Sequence, residues 1–193
     1  MNRKILLAVL MLTVFGLMQA NAKKWKAKHV VLIGIDGWGA YSVPKAHDIP
    51  NIRSLMQNGC YTLKKRCDLP SESAVNWSAM FNGACTEMHG YTNWNSRVPE
   101  IPSMCTNAHG IYPTIYSVIR EQIPNAETGN IAEWDGIKYL IDSLAINYVD
   151  VASNYEKDDE QLCRMAEQYI KKSKPTFLAV CFDQVDHVGH AIG

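Results

Sequence analysis

Two hydrophobic patterns alternate along this chain. From Val30 to Ile35 the residues are Val30-Val31-Leu32-Ile33-Gly34-Ile35, of which five of six are large and apolar. An almost unbroken run of this kind predicts a strand buried on both faces, in the middle of a parallel sheet. Thr176 to Phe182 has the same character and predicts a second buried strand. Tyr61 to Cys67 reads as a further strand, and Ala126 to Ala132 as a short one. The other pattern has a helical period. From Asp158 to Lys172, residues Leu162, Met165, Ala166, Tyr169 and Ile170 line one face. Acidic residues crowd the start of that segment and lysines its end, which suits the helix dipole. Pro50 opens a short helix with Ile52, Leu55 and Met56 on one side, and Gly59 closes it. Ser73 to Asn82 reads as a helix stopped by Gly83. Pro113 opens another, with Ile115, Val118 and Ile119 in register. Met88 to Asn107 is an irregular polar loop. Strands alternating with helices predict an α/β fold with a mostly parallel central sheet flanked by helices on both faces.

The first 22 residues stand apart from this pattern. Arg3 and Lys4 precede an apolar run from Ile5 to Met18, and Ala20-Asn21-Ala22 has the small-x-small form of a cleavage site. Residues 1–22 are expected to be a secretory signal peptide, too short for a comfortable membrane span. The mature chain, 23–193, is then secreted or periplasmic, without stable membrane insertion. Of all 193 residues 47% are apolar, which is ordinary for a globular enzyme. The net charge is zero, so nothing points to nucleic acid as a partner. Six cysteines (Cys60, Cys67, Cys85, Cys105, Cys163 and Cys181) allow 15 disulfide pairings, among which sequence does not choose. Cys181 lies in a buried-strand pattern and reads as a small core residue. No CxxC pair suggests a thiolate metal site.

Three stretches carry candidate chemistry. Asp36, followed by Gly37, ends the first strand, where open α/β sheets present ligand groups; it also reads as an ordinary turn. After Phe182 come two aspartates and two histidines within eight residues: Asp183, Asp186, His187 and His190. Asp186 and His190 are four apart and share one face of a helical turn. Asp and His are suitable zinc ligands. Ser73 opens a helix, where backbone amides and the dipole favour a phosphate and an alkoxide. A plain N-cap serine is the alternative. No serine sits in a GxSxG elbow.

Together these stretches resemble the alkaline phosphatase superfamily, in its type I phosphodiesterase and nucleotide pyrophosphatase branch. Gly34-Ile35-Asp36-Gly37 matches the first motif of that branch. Pro70-Ser71-Glu72-Ser73 with Asn76 matches its nucleophile motif, with serine in place of the commoner threonine. Asn82-Gly83 and His89-Gly90 fall in step, and Asp186-His187-Val188-Gly189-His190 matches its Asp-x-x-Gly-His metal motif. The resemblance implies an alkaline-phosphatase-like fold and a zinc-dependent hydrolase of phosphate esters, with a small phosphate ester as substrate. It implies two Zn2+ ions in the complete enzyme. Asp36 would hold one, touched also by the alkoxide of Ser73, the nucleophile. Asp186 and His190 would hold the other. An asparagine after the His-Gly helps to hold a phosphoryl oxygen in the family. Asn93 and Asn95 flank that place here, Trp94 occupies it on a gapless count, and Asn93 is the candidate.

The resembled family completes its metal sites with a later Asp-His-Gly segment and a still later histidine, neither of which lies in these 193 residues. The chain is therefore expected to be the N-terminal part of a catalytic domain, truncated at its C-terminus and inactive alone. Besides the phosphodiesterase, a phosphomonoesterase of the same superfamily and a non-catalytic phosphate- or metal-binding fragment remain as readings. Mass spectrometry of the exported protein should give Lys23 as the mature N-terminus. An intact Met1 would overturn the signal-peptide assignment.

Overall fold

The computed structural model describes residues 27–151 and 158–192. Residues 1–22, the expected signal peptide, lie outside them. Four parallel strands form one sheet: β1 (Val30–Ile35), β2 (Thr128–Ala132), β3 (Tyr148–Val151) and β4 (Phe177–Phe182). Their order is β1-β4-β2-β3. Between them run α1 (Pro50–Asn58), α2 (Ser73–Asn82), the single turn α3 (Thr86–His89), α4 (Ile115–Gln122) and α5 (Asp159–Ser173). α6 (Gln184–Ile192) follows β4. The fold is α/β with a mostly parallel sheet, as the alternation of patterns predicts.

The side-chain alternation of β4 divides the core in two. Phe177, Ala179 and Cys181 join Trp77 and Phe81 of α2 and Tyr116 of α4 on one face. Leu178 and Val180 join Leu162, Ala166 and Tyr169 of α5 on the other. Helices therefore cover both faces, and β2 and β4 between them are buried along nearly their whole length. α5 begins one residue later than predicted. Asp158 is its N-cap and accepts the Gln161 amide at 2.6 Å. Gly83, at φ 64°, ends α2 in the left-handed conformation that glycine adopts without a Cβ penalty.

Two expectations need correction, and one strand is new. β1 is not in the middle of the described sheet. It pairs only with β4, and Ile33 on its outer side is 60% exposed. An apolar run specifies a strand, but its place in the sheet depends on partners elsewhere in the chain. Tyr61 to Cys67 forms no strand: it is irregular and has no pairing partner. β3, with the polar Asp150 in its centre, was not foreseen and supplies the opposite edge. Cys181 is buried as expected, and the six cysteines are free thiols. Among the described residues no helix is long and apolar enough to cross a membrane.

Gly34 sets how closely α2 can lie on β1. A Cβ there would stand 2.2 Å from the Trp77 ring. Gly34→Ala should force the indole or the strand to move and should destabilise the fold by about 1–3 kcal/mol, the usual range for overpacking. Urea unfolding followed by circular dichroism measures this. An unchanged midpoint would mean that the indole does not rest on the strand.

Candidate active site

Parallel register brings the first acidic groups together. Ile35 and Phe182 are partners at the ends of β1 and β4, so Asp36 and Asp183 follow side by side at the C-terminal edge of the sheet. The Asp36 amide donates to the Phe182 carbonyl at 2.9 Å, which continues the pairing by one residue. α6 starts immediately afterwards and turns Asp186 back over the same spot. Oxygens of Asp36, Asp183 and Asp186 all lie within 4.8 Å of one another. The close approach depends on Gly37, at φ +68°, because a Cβ there would stand 2.7 Å from the Asp186 backbone.

Asp36 is held from two directions. One oxygen accepts the Gly37 amide and the other the Trp77 indole N–H, each at 2.9 Å. Trp77 lies one helical turn beyond Ser73 on α2, so one residue ties the serine-bearing helix to the carboxylate-bearing strand. Ser73 is the first helical residue. The N-cap position belongs to Glu72, so Ser73 is not a capping serine. The preceding turn is clamped by Asn76. Its side-chain oxygen accepts the Asp68 amide at 2.7 Å, and its amide group donates to the Glu72 carbonyl at 3.1 Å.

These groups line a cavity of about 810 Å³, bordered by Asp36, Asp183, Asp186, His190, Ser73 and Asn76. That size suits a small-molecule ligand. His190 Nε2 lies 3.4 Å from Asp186 Oδ2 and is otherwise exposed. Burial, and then the neighbouring Asp36 carboxylate, raise the pKa of Asp186 above the ordinary carboxylate value, while His190 and His187 pull it back. Three converging carboxylates with a histidine at their edge make a donor set that fits a divalent cation.

The structure thus brings Asp36, Ser73, Asp186 and His190 to one pocket. It does not bring Asn93. The Asn93 side chain hydrogen bonds to Glu100 instead, and the pocket wall is Trp94. Residues 91–100 fold back on themselves through Ser96, whose hydroxyl meets both the Asn93 carbonyl and the Glu100 carboxylate, which turns Asn93 away. Sequence reasoning also passed over Asp183 and Trp77 as site residues. Asp183 carries the same signal as Asp36, a carboxylate at the tip of a buried strand. Trp77 carries no sequence signal of its role.

The Type I phosphodiesterase / nucleotide pyrophosphatase family pattern matches residues 30–193. The chain is similar in fold to the solved structure of murine ectonucleotide pyrophosphatase / phosphodiesterase 5, with a TM-score of 0.61 and 17% identity. An inactive variant of that murine protein, in complex with AMP, gives a TM-score of 0.62 and the same identity. Each match covers 84% of this chain and 45% of the murine one, so this chain spans under half the length of that protein. None of the curated proteins compared matches it.

The raised pKa of Asp186 predicts a pH dependence. The folded state holds the Asp186 proton more tightly than the unfolded state does, so ionised Asp186 weakens the metal-free fold at neutral pH. That penalty fades as pH falls through the raised value and is gone below the unfolded value. Asp186→Asn should therefore stabilise the chelator-treated protein at pH 7, and the difference should disappear near pH 3. Thermal melts at both pH values test this, and a variant less stable than wild type at pH 7 would contradict it.

Proposed function

This chain belongs to the Type I phosphodiesterase / nucleotide pyrophosphatase family, and on that premise we propose that it provides the N-terminal catalytic part, residues 23–193, of an exported hydrolase of phosphate esters. Ser73 is its nucleophile, Asp36, Asp186 and His190 are its metal ligands, and zinc is the metal. The observation that carries the reading is that Ser73, at the first position of α2, and a cluster of three carboxylates line one cavity.

Ser73 Oγ would attack phosphorus in line. The P–O bond to the leaving alcohol breaks as the Ser73–phosphorus bond forms, and water later cleaves the phosphoserine to restore the hydroxyl. The N-terminal end of α2 contributes backbone amides and a positive dipole end beside the phosphoryl oxygens. Trp77 and Gly37 hold Asp36 in place throughout. Asp36, Asp186, His190 and the Ser73 oxygen are the groups that would hold zinc, with Asp183 within reach. When bound, zinc supplies positive charge against the anionic ester and favours ionisation of the serine. Trp94 stands in the cavity wall where the family asparagine is expected. The phosphoryl oxygens are then left to the helix amides and the metal.

The test is hydrolysis of bis-p-nitrophenyl phosphate and p-nitrophenyl phosphate by the full-length gene product, with bound zinc measured alongside. Ser73→Ala should lose several orders of magnitude in turnover, each tenfold being about 1.4 kcal/mol of barrier. Its zinc content should stay near that of wild type. Ser73→Thr should keep partial activity because the hydroxyl remains. Asp186→Ala and His190→Ala should each lower bound zinc. A preference for the diester supports the phosphodiesterase over the monoesterase. Wild-type turnover by Ser73→Ala on both substrates would remove Ser73 as the nucleophile.

A further inference from the structure

Among the described residues, the helix that carries Asp186 and His190 lies at the surface. α6 has no buried side chain, and Val185, Val188 and Ile192 face outward. A helix without apolar anchors belongs to the least stable part of a fold unless something else holds it. Polar contacts hold the first turn of α6. Glu133, the residue after β2, is fully buried, and its carboxyl points at that end. One oxygen accepts the Asp183 amide at 3.3 Å, and the other accepts the side-chain amide of Gln184. The Glu133 amide donates to the Cys181 carbonyl at 3.2 Å, so its backbone is fixed to β4 while its side chain reaches forward. Asp159, at the start of α5, hydrogen bonds to the Glu133 carboxyl and to the Gln184 backbone. A buried carboxyl is costly unless its hydrogen bonds are made. Apart from Asp159, the partners of this one are on the segment that leads to Asp186 and His190.

We propose that Glu133 is a positioning residue, whose carboxyl clamps the first turn of α6 and thereby sets where Asp186 and His190 stand relative to Asp36. The use of this clamp in metal binding rests on the hydrolase reading above; the clamp itself does not. Glu133 touches no substrate and acts through α6. The strand β2 thus contributes to the pocket indirectly, through the residue at its tip, just as β1 and β4 contribute directly through Asp36 and Asp183.

The test uses the full-length gene product in four forms, wild type, Glu133→Ala, Glu133→Gln and Gln184→Ala, with two more in an Asp186→Ala background. Amide hydrogen exchange is read residue by residue, and zinc alone is titrated against a chromogenic chelator. Glu133→Ala should speed exchange of the 187–191 amides about tenfold or more while leaving β2 and β4 protected. It should also weaken zinc binding by about 10- to 100-fold, as removal of a group that orients a ligand does. Glu133→Gln keeps size and an acceptor and should restore most of both. Gln184→Ala should show a smaller change in the same direction. In an Asp186→Ala background, Glu133→Ala should have no further effect on zinc, since it acts through that residue. Unchanged exchange in α6, or an equal loss of protection throughout the sheet, would overturn the proposal. Should Glu133→Ala not fold, Glu133→Gln and Gln184→Ala decide it by the same exchange readout. Absence of zinc binding by wild type would count against the hydrolase reading, while exchange in α6 would still decide the clamp.

Discussion

The contact between Trp77 and the end of β1 holds the candidate site together. The indole ring fills the space that Gly34 leaves open, and its N–H reaches the Asp36 carboxylate at 2.9 Å. One side chain therefore does two things. It seals the core between α2 and the sheet, and it fixes the distance between the helix that presents Ser73 and the strand that presents Asp36. A hydrogen bond to a charged group contributes about 1.5–3 kcal/mol where it is shielded from water. The adjoining ring contacts, Trp77 against Phe81 and Phe81 against Tyr116, carry the same rigidity into the buried face of the sheet.

The carboxylates are a different kind of constraint. Asp36, Asp183 and Asp186 repel one another, and the backbone brings them together regardless. Register places the first two, and the glycine at 37 admits the third. Burial first, and then the Asp36 carboxylate, raise the pKa of Asp186. A fold that tolerates such repulsion at the mouth of a cavity gains little in stability from the arrangement. It gains a preformed place for positive charge.

The two halves of the site are held by unlike means. Ser73 stands on a helix buried against the core, and Asn76 clamps the turn that leads into it. Asp186 and His190 stand on a helix whose first turn is tethered by hydrogen bonds. The serine side is rigid through packing, and the α6 side through a few hydrogen bonds. Strand β1, the edge of the described sheet, keeps Val31 and Ile33 exposed on the flank beside this site.

Much of this was written in the order of residues. The run Val30–Ile35, the run ending at Phe182 and the helical period after Asp158 named three elements, because burial imposes a period that local sequence must obey. Strand tips named Asp36, and the spacing of Asp186 and His190 named one helical face. The Asp-x-x-Gly-His motif and the serine motif brought Ser73 into the same reading. Other features depended on contacts between distant segments. The position of β1 at an edge depends on which strands lie beside it, a pairing that no single segment encodes. Tyr61 to Cys67 had a strand-like composition and found no partner. Asn93 turned toward Glu100 because Ser96 closed a local turn that its neighbours on the chain do not announce. Neither Trp77 nor Glu133 carries a sequence signal of its role. What each holds, Asp36 in one case and the first turn of α6 in the other, lies 41 and 50 residues away along the chain. Sequence therefore determined which groups were available, because side-chain chemistry and period are local. Tertiary structure decided which of them meet, because meeting depends on the register of strands far apart in the chain and on the few side chains that bridge them.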